Sequence, residues 1–196
     1  MNQLPRHRTS PWHAGERQLQ ESVNASERME VIGQKVIRDH MPEQHREFYQ
    51  QLPFMLVGAV DAQGRPWATL LEGPPGFVSS ADPQHLSLAS QADPQDPAAS
   101  GLQAGSAVGM LGIELHTRRR NRINGVIQQA SAEGFAVRVE HSYGNCPKYI
   151  QQRAYQRITA PAGTRLARQD SDGLDEYCSA LIRAATVSRA ASRLVA

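Results

Sequence analysis

The stretch PFMLVGAVDAQGRPWATLL, from Pro53 to Leu71, constrains the fold most. An apolar run over Pro53–Val60 and a strand-like run over Arg65–Leu71 flank DAQG, in which Asp61 and Gly64 supply turn chemistry. This is a hairpin signal, and four more strand-like runs follow: His85–Ser90, Ser106–Leu115, Arg118–Ala130 and Phe135–Tyr143. In the last of these, Val137, Val139 and His141 alternate with Arg138, Glu140 and Ser142, which predicts one wet face. Glu72–Phe77 (EGPPGF) reads as an irregular loop, because its two prolines and two glycines exclude regular structure. Asp93–Gly105 reads as a loop leading into a short helix that Gly105 ends. Six short strands with tight turns predict a mainly β, α+β fold, a small six-stranded antiparallel barrel flanked by helices.

Helical patterning lies mostly outside this region. Residues 1–15 read as irregular, and Met29, Ile32, Val36 and Ile37 then recur on one helical face, with Ser26 as the expected cap. Pro42 ends this helix or begins a second over Glu43–Gln51. After the last strand, GNCPK places Pro147 at the first turn of a helix through Tyr155, capped by Asn145 or Cys146. Such a helix start, with Lys148 beside it, is a candidate anion site; a capped surface helix with one solvated lysine is the plainer reading. Asp172–Ala196 opens as an amphipathic helix. The organisation predicted is an arm with helices over 1–52, the barrel over 53–155, and a helical extension over 156–196 within one domain.

Composition excludes several classes of function. The 196 residues carry 21 basic and 19 acidic side chains, a formal net charge of +2, which argues against a nucleic-acid partner. Two cysteines make neither a disulfide framework nor a zinc site, and their number suits a reducing cytoplasm. The first residues lack an apolar signal-peptide core, and no apolar run approaches membrane-spanning length, so a cytoplasmic protein is expected.

The densest charge is TRRRNR, Thr117–Arg122. On a strand, Arg118, Arg120 and Arg122 share one face, where three guanidinium groups repel one another unless an anion or carboxylates sit among them. Arginine's planar fork suits phosphate oxygens, although a solvated strand face fits the stretch equally well. No GxSxG, HExxH, CxxC or phosphate-loop pattern occurs, and the seven histidines show no ligand spacing. Cys146 reads as a small buried residue, and SPWHAGE (Ser10–Glu16) as a helix cap with one packing anchor; a flexible arm closing over an aromatic ligand is its alternative.

Taken in order, RPWATLLEGPPGF, RRRNRING and GNCPKYIQ resemble the pyridoxamine 5'-phosphate oxidase-related FMN-binding proteins, closer to their bacterial branch than to the true vitamin B6 oxidase. SPWHAGE is similar to that branch as well, and the resemblance spans roughly residues 10–155. It implies a split β-barrel that dimerises and holds FMN at the subunit interface, with Trp67, Ala68 and Thr69 against the flavin ring. Ser90, Arg118, Arg120, Arg122, Asn145 and Lys148 are the remaining cofactor-binding candidates. RRNR stands at Arg119–Arg122 where the true oxidase reads RQVR, and ASQADPQ lacks the basic residues of its phosphate-binding stretch, a departure that tells against oxidation of pyridoxamine phosphate. The chain also ends in TVSRAASRLVA where similar proteins add a further strand, so its last ten or so residues are expected to be poorly ordered.

The expected function is that of an FMN-dependent oxidoreductase, a homodimer taking electrons from NAD(P)H or a small redox substrate, with no metal and no identifiable catalytic residue. The alternatives are a flavin-binding module without turnover and a haem-binding or haem-degrading split barrel, for which His13, His116 and His141 would be the ligand candidates.

Overall fold

In the computed structural model, the described residues are 10–146, 151–156 and 173–184. The chain divides into two compact units, residues 1–113 with 120–145, and residues 114–119 with 146–196.

The first unit is built on seven strands: β1 (Phe54–Val60), β2 (Pro66–Glu72), β3 (Val78–Asp82), β4 (His85–Leu88), β5 (Ala107–Glu114), β6 (Arg119–Ser131) and β7 (Gly134–Asn145). They form one sheet in the order β2-β1-β5-β6-β7-β4-β3, with antiparallel pairing. Strands β2 and β4 lie far apart in that order, yet Ser90 just after β4 donates its hydroxyl to the Glu72 carbonyl at the end of β2 (3.0 Å). The sheet therefore curls toward closure, and residues from all seven strands meet in one apolar core. This is the split barrel.

The predicted hairpin is present. Asp61 makes the turn between β1 and β2: its Oδ1 accepts from the backbone N–H groups of Gln63 and Arg65, both at 2.9 Å, and Gly64 takes φ +79. The strand count is seven where six were expected. The missed strand, β3, reads VSSAD and offers only one large apolar residue, so periodicity gives it little signal. In β7, Val137 and Val139 are buried and Arg138 and Glu140 exposed, as predicted, but Ser142 is fully buried. The pairing shifts between Asn124↔His141 and Gly125↔Val139, leaving Glu140 as the extra residue of a bulge that reverses the alternation beyond it.

Three helices accompany the sheet: α1 (Ala14–Ser22), α2 (Ser26–Val36) and α3 (Glu43–Gln50). Helix α3 is the one that fills the barrel. Phe48, Tyr49 and Leu52 are almost fully buried, and a Cβ on Gly112 of β5 would come within 2.6–2.9 Å of all three side chains. That glycine is what lets the helix seat. Helix α1 starts where the chain was read as irregular, because His13 builds a capping box with Glu16. Its Nδ1 accepts from the N–H groups of Gly15 and Glu16 while the Glu16 carboxylate accepts from the His13 N–H. Trp12 donates its indole N–H to the Met29 carbonyl at 3.0 Å and packs on Gly33. The cap-and-anchor reading of SPWHAGE therefore holds. Ser26 is the first residue of α2 and not its cap; Ala25 holds that position.

In the second unit, the Glu114 carbonyl accepts from the N–H groups of Thr117 and Arg118, and Thr117 Oγ1 bonds the Glu114 carboxylate. A further helix, α4 (Glu176–Ala184), lies in the amphipathic C-terminal stretch. The last ten residues lie outside the described ones. Among the described residues, no helix is long and apolar enough to cross a membrane.

Replacing Phe48 with alanine should cost about 3–5 kcal/mol of stability, because its ring has no solvent to retreat to. Replacing Leu19, which is 71% exposed on α1, should change stability by less than about 0.5 kcal/mol. Denaturant unfolding of the two variants checks the assignment of the core.

Candidate functional site

Strand alternation divides the sheet into an inner and an outer face. On the outer face, Gly58 of β1 lies directly between Ala68 of β2 and Gly109 of β5. Asn124 of β6 follows, since a Cβ on Gly109 would stand 3.5 Å from its Oδ1, and His141 of β7 is the cross-strand partner of Asn124. The small residues leave a groove of about 400 Å³, lined by Gly58, Val60, Pro66, Trp67, Ala107, Gly109 and Asn124. Glu140, paired with Arg138 at 2.8 Å, stands at its edge. The volume suits a small organic ligand.

Beyond Asn124 the same face of β6 carries Arg122 and then Arg120. At about 3.3 Å per residue they lie about 7 and 13 Å along the strand from the groove. Tyr143 is opposite Arg122, and Asn145 is opposite Arg120. Two of the predicted cofactor residues, Arg120 and Asn145, are therefore cross-strand partners. An apolar trough thus continues into a field of hydrogen-bond donors and positive charge.

Other predicted residues fall elsewhere. Arg118 is not on the strand: it ends the turn at φ +66, so it does not share the face of Arg120 and Arg122 by alternation. The helix expected from Gly144 to Tyr155 is absent from its described parts, since β7 runs on through Asn145 and residues 151–156 are not helical. Asn145 pairs with Arg120 in the sheet, which takes it out of the capping role. Lys148 lies outside the described residues. Cys146 is exposed, not buried. The hydroxyl proton of Ser90 is committed to the Glu72 carbonyl.

Of the three residues expected against a flavin ring, Trp67 lines the groove, and Ala68 is the cross-strand partner of Gly58 on the same face. Thr69 is buried on the other side, and its Oγ1 donates to Asp96 Oδ2 at 2.5 Å. The indole N–H of Trp67 donates to Asp61 Oδ2 at 2.8 Å, and Arg65 stacks over the ring at 5.5 Å. Asp61 Oδ2 also accepts from Arg65 Nε at 2.7 Å, on a side chain that is only 2% exposed. One oxygen of Asp61 thus builds the turn and the other ties β2 to it. The indole bond first, then the arginine and backbone bonds, hold this carboxyl down to about 2. Asp61 and Asp96 are the site-supporting residues that motif reading passed over. DAQG identified Asp61 as a turn former, and nothing in the sequence announces its second set of partners.

The family described as pyridoxamine 5'-phosphate oxidase matches residues 41–166. Among solved structures, HupZ of Group A Streptococcus is similar with a TM-score of 0.42 and 11% identity, over 53% of this chain and 93% of that one. HutZ, the haem storage protein from Vibrio cholerae, is similar with a TM-score of 0.35 and 15% identity, over 51% and 89%. An F420 reductase is similar with a TM-score of 0.35 and 11% identity, over 54% and 97%. No curated protein matches the chain.

The depressed value of Asp61 sets a pH dependence. Its contribution to stability is complete above the ordinary carboxylate range and fades as pH falls from about 4 toward 2, where the folded state takes up the proton. Asp61→Asn should be less stable than the parent at neutral pH and should lose less on acidification. Urea midpoints followed from pH 6 to pH 2 check this; parallel curves for the two proteins would refute the assignment.

Proposed function

The chain belongs to the pyridoxamine 5'-phosphate oxidase family, and from that premise we propose that it binds FMN and acts as a flavin-dependent oxidoreductase. The observation that carries the reading is the continuity of one sheet face, from the apolar groove at Gly58 and Gly109 to Arg122 and Arg120. A flavin mononucleotide has the same polarity from end to end: a planar ring, a polyol and a phosphate dianion. Bound FMN would supply the hydride and electron transfer. The protein's part is to bind, orient and exclude water.

The residues present fit those tasks. The groove walls, Val60, Pro66 and Ala107, are apolar and offer the ring a dry flank. Asn124 offers an amide to a polar ring edge. Arg122 and Arg120 would hold the phosphate from one strand, with Tyr143 and Asn145 opposite as further donors. This set replaces the basic residues that the true vitamin B6 oxidase carries after its third strand and that Ser90 and Gln91 do not supply here. We assign the substrate or electron donor to the class of small redox molecules that includes NAD(P)H.

The groove is open, and Val60 at its wall is 53% exposed. A second copy of the chain closing over it would desolvate the ring, which is the homodimeric arrangement we propose. Light scattering of the flavin-loaded protein should then report a dimer, and a monomer that still holds FMN would refute the shared site.

Arg122→Ala should weaken FMN binding about tenfold or more, the equivalent of one charge-assisted contact of roughly 1.5–3 kcal/mol. Riboflavin, which lacks the phosphate, should bind the variant as it binds the parent. Calorimetric titration with both ligands decides it: no FMN binding by the folded parent removes the proposed function, and equal losses for both ligands remove the phosphate role of Arg122.

A further inference from the structure

Glycine inside a strand weakens it, so each one calls for a cause. For Gly112 and Gly125 the cause is internal. A Cβ on Gly112 would strike the side chains of α3, and one on Gly125 would stand 2.2 Å from the Arg138 carbonyl oxygen. Gly58 and Gly109 have no such cause. Neither has a positive φ, and a Cβ on Gly58 would meet nothing nearer than the Gly109 carbonyl oxygen at 3.5 Å. A Cβ on Gly109 would meet only Asn124 Oδ1, also at 3.5 Å. Those are ordinary contacts. The fold tolerates alanine at both positions, and the chain has glycine at both, directly opposite each other on neighbouring strands and on the floor of the groove.

We propose that Gly58 and Gly109 are specificity-determining residues of the groove: together they keep the backbone of two adjacent strands bare, so that a fused planar ring lies flat on it. The inference rests on the flavin reading above and names the part of the ligand that these residues select. Gly58 and Gly109 are direct cross-strand partners, so two adjacent strands present no side chain there, and Pro66 and Trp67 of β2 flank the bare stretch. With strands about 4.8 Å apart, that bare stretch lies under the middle of a fused ring laid across it. A Cβ at either glycine would stand up from the middle of the floor and tilt the ring off the peptide planes. The walls and the arginine face would be unaffected. Selection is therefore against thickness, and non-planar ligands with the same phosphate gain nothing from the bare floor.

Gly58→Ala and Gly109→Ala separate this from a structural role, because the two roles predict opposite changes in stability. Each variant should melt at the parent temperature or up to about 1–4 °C above it, since alanine at a compatible strand position restricts the unfolded chain. Each should bind FMN and riboflavin about tenfold or more weakly, by calorimetry and by the visible absorbance of the bound flavin. The loss should be alike for both ligands, because the floor acts on the ring, whereas Arg122→Ala discriminates between them. Unchanged flavin affinity in both variants overturns the inference while leaving the flavin reading intact. A fall in melting temperature overturns it too, by showing that the glycines serve packing. Dissociation to monomers without loss of flavin affinity would assign the pair to contact between copies and overturn it as well. A parent protein that binds neither flavin removes the proposed function and this inference with it.

Discussion

The pairing of β1 with β5, which sets Val57 beside Met110 and Gly58 beside Gly109, decides what the rest of the barrel can do. Side chains alternate along a strand, so a slip of one residue would exchange the two faces. It would put glycines into the core and Val57 and Met110, now 1% and 2% exposed, into water. The core thereby enforces the register, and the register in turn assigns the outer face its contents. The groove, Asn124, Arg122 and Arg120 are placed by the burial of residues that never touch it.

The same logic explains why helix α3 matters to a site it does not line. Phe48, Tyr49 and Leu52 fill the barrel over Gly112, on the inner side of the strand whose outer side carries Gly109. Close packing at Gly112 leaves β5 little freedom to shift, and interiors packed at this density transmit small displacements. The two kinds of glycine on β5 thus do different things three residues apart. Gly112 admits a helix from within, and Gly109 leaves the sheet uncovered from without.

Legibility followed local chemistry. DAQG between two apolar runs announced the first hairpin, and PEQHREFYQ announced α3, because turn residues and helix caps act over a few positions. Strand β3 was hidden, since VSSAD pairs only with β4 and holds a sheet edge by tertiary contact, not by its own pattern. The helix read from GNCPK failed at Asn145 for a related reason: its partner, Arg120, lies 25 positions earlier, and a ladder with a distant strand outweighs a local cap. The alternation in β7 failed at Ser142 because a bulge leaves no mark in the sequence. In the candidate site, the residue types were legible and the faces were not. The arginine stripe lost Arg118 to a turn at positive φ, and only the folded sheet shows that Trp67 lines the groove while Thr69 is buried behind the strand.

Trp67 and Thr69 also hold in place the strand that carries them. Strand β2 is an edge strand, paired on one side only, and an edge is where a sheet is softest. Trp67 is bonded to Asp61 and Thr69 to Asp96, so each carboxylate grips the strand from behind, on the two sides of Ala68. Asp96 also caps the 3-10 helix Pro97–Gly101, accepting from the Ala98 N–H at 2.8 Å, which connects β2 to the segment running alongside it. The groove's outermost strand is therefore braced at Trp67, which lines the groove, and at Thr69 behind it. A flat ligand gains most from a floor that does not bend under it, because the ordering has already been done by the fold. The bonds to Asp61 and Asp96 commit the polar groups of Trp67 and Thr69 to the support of the strand itself.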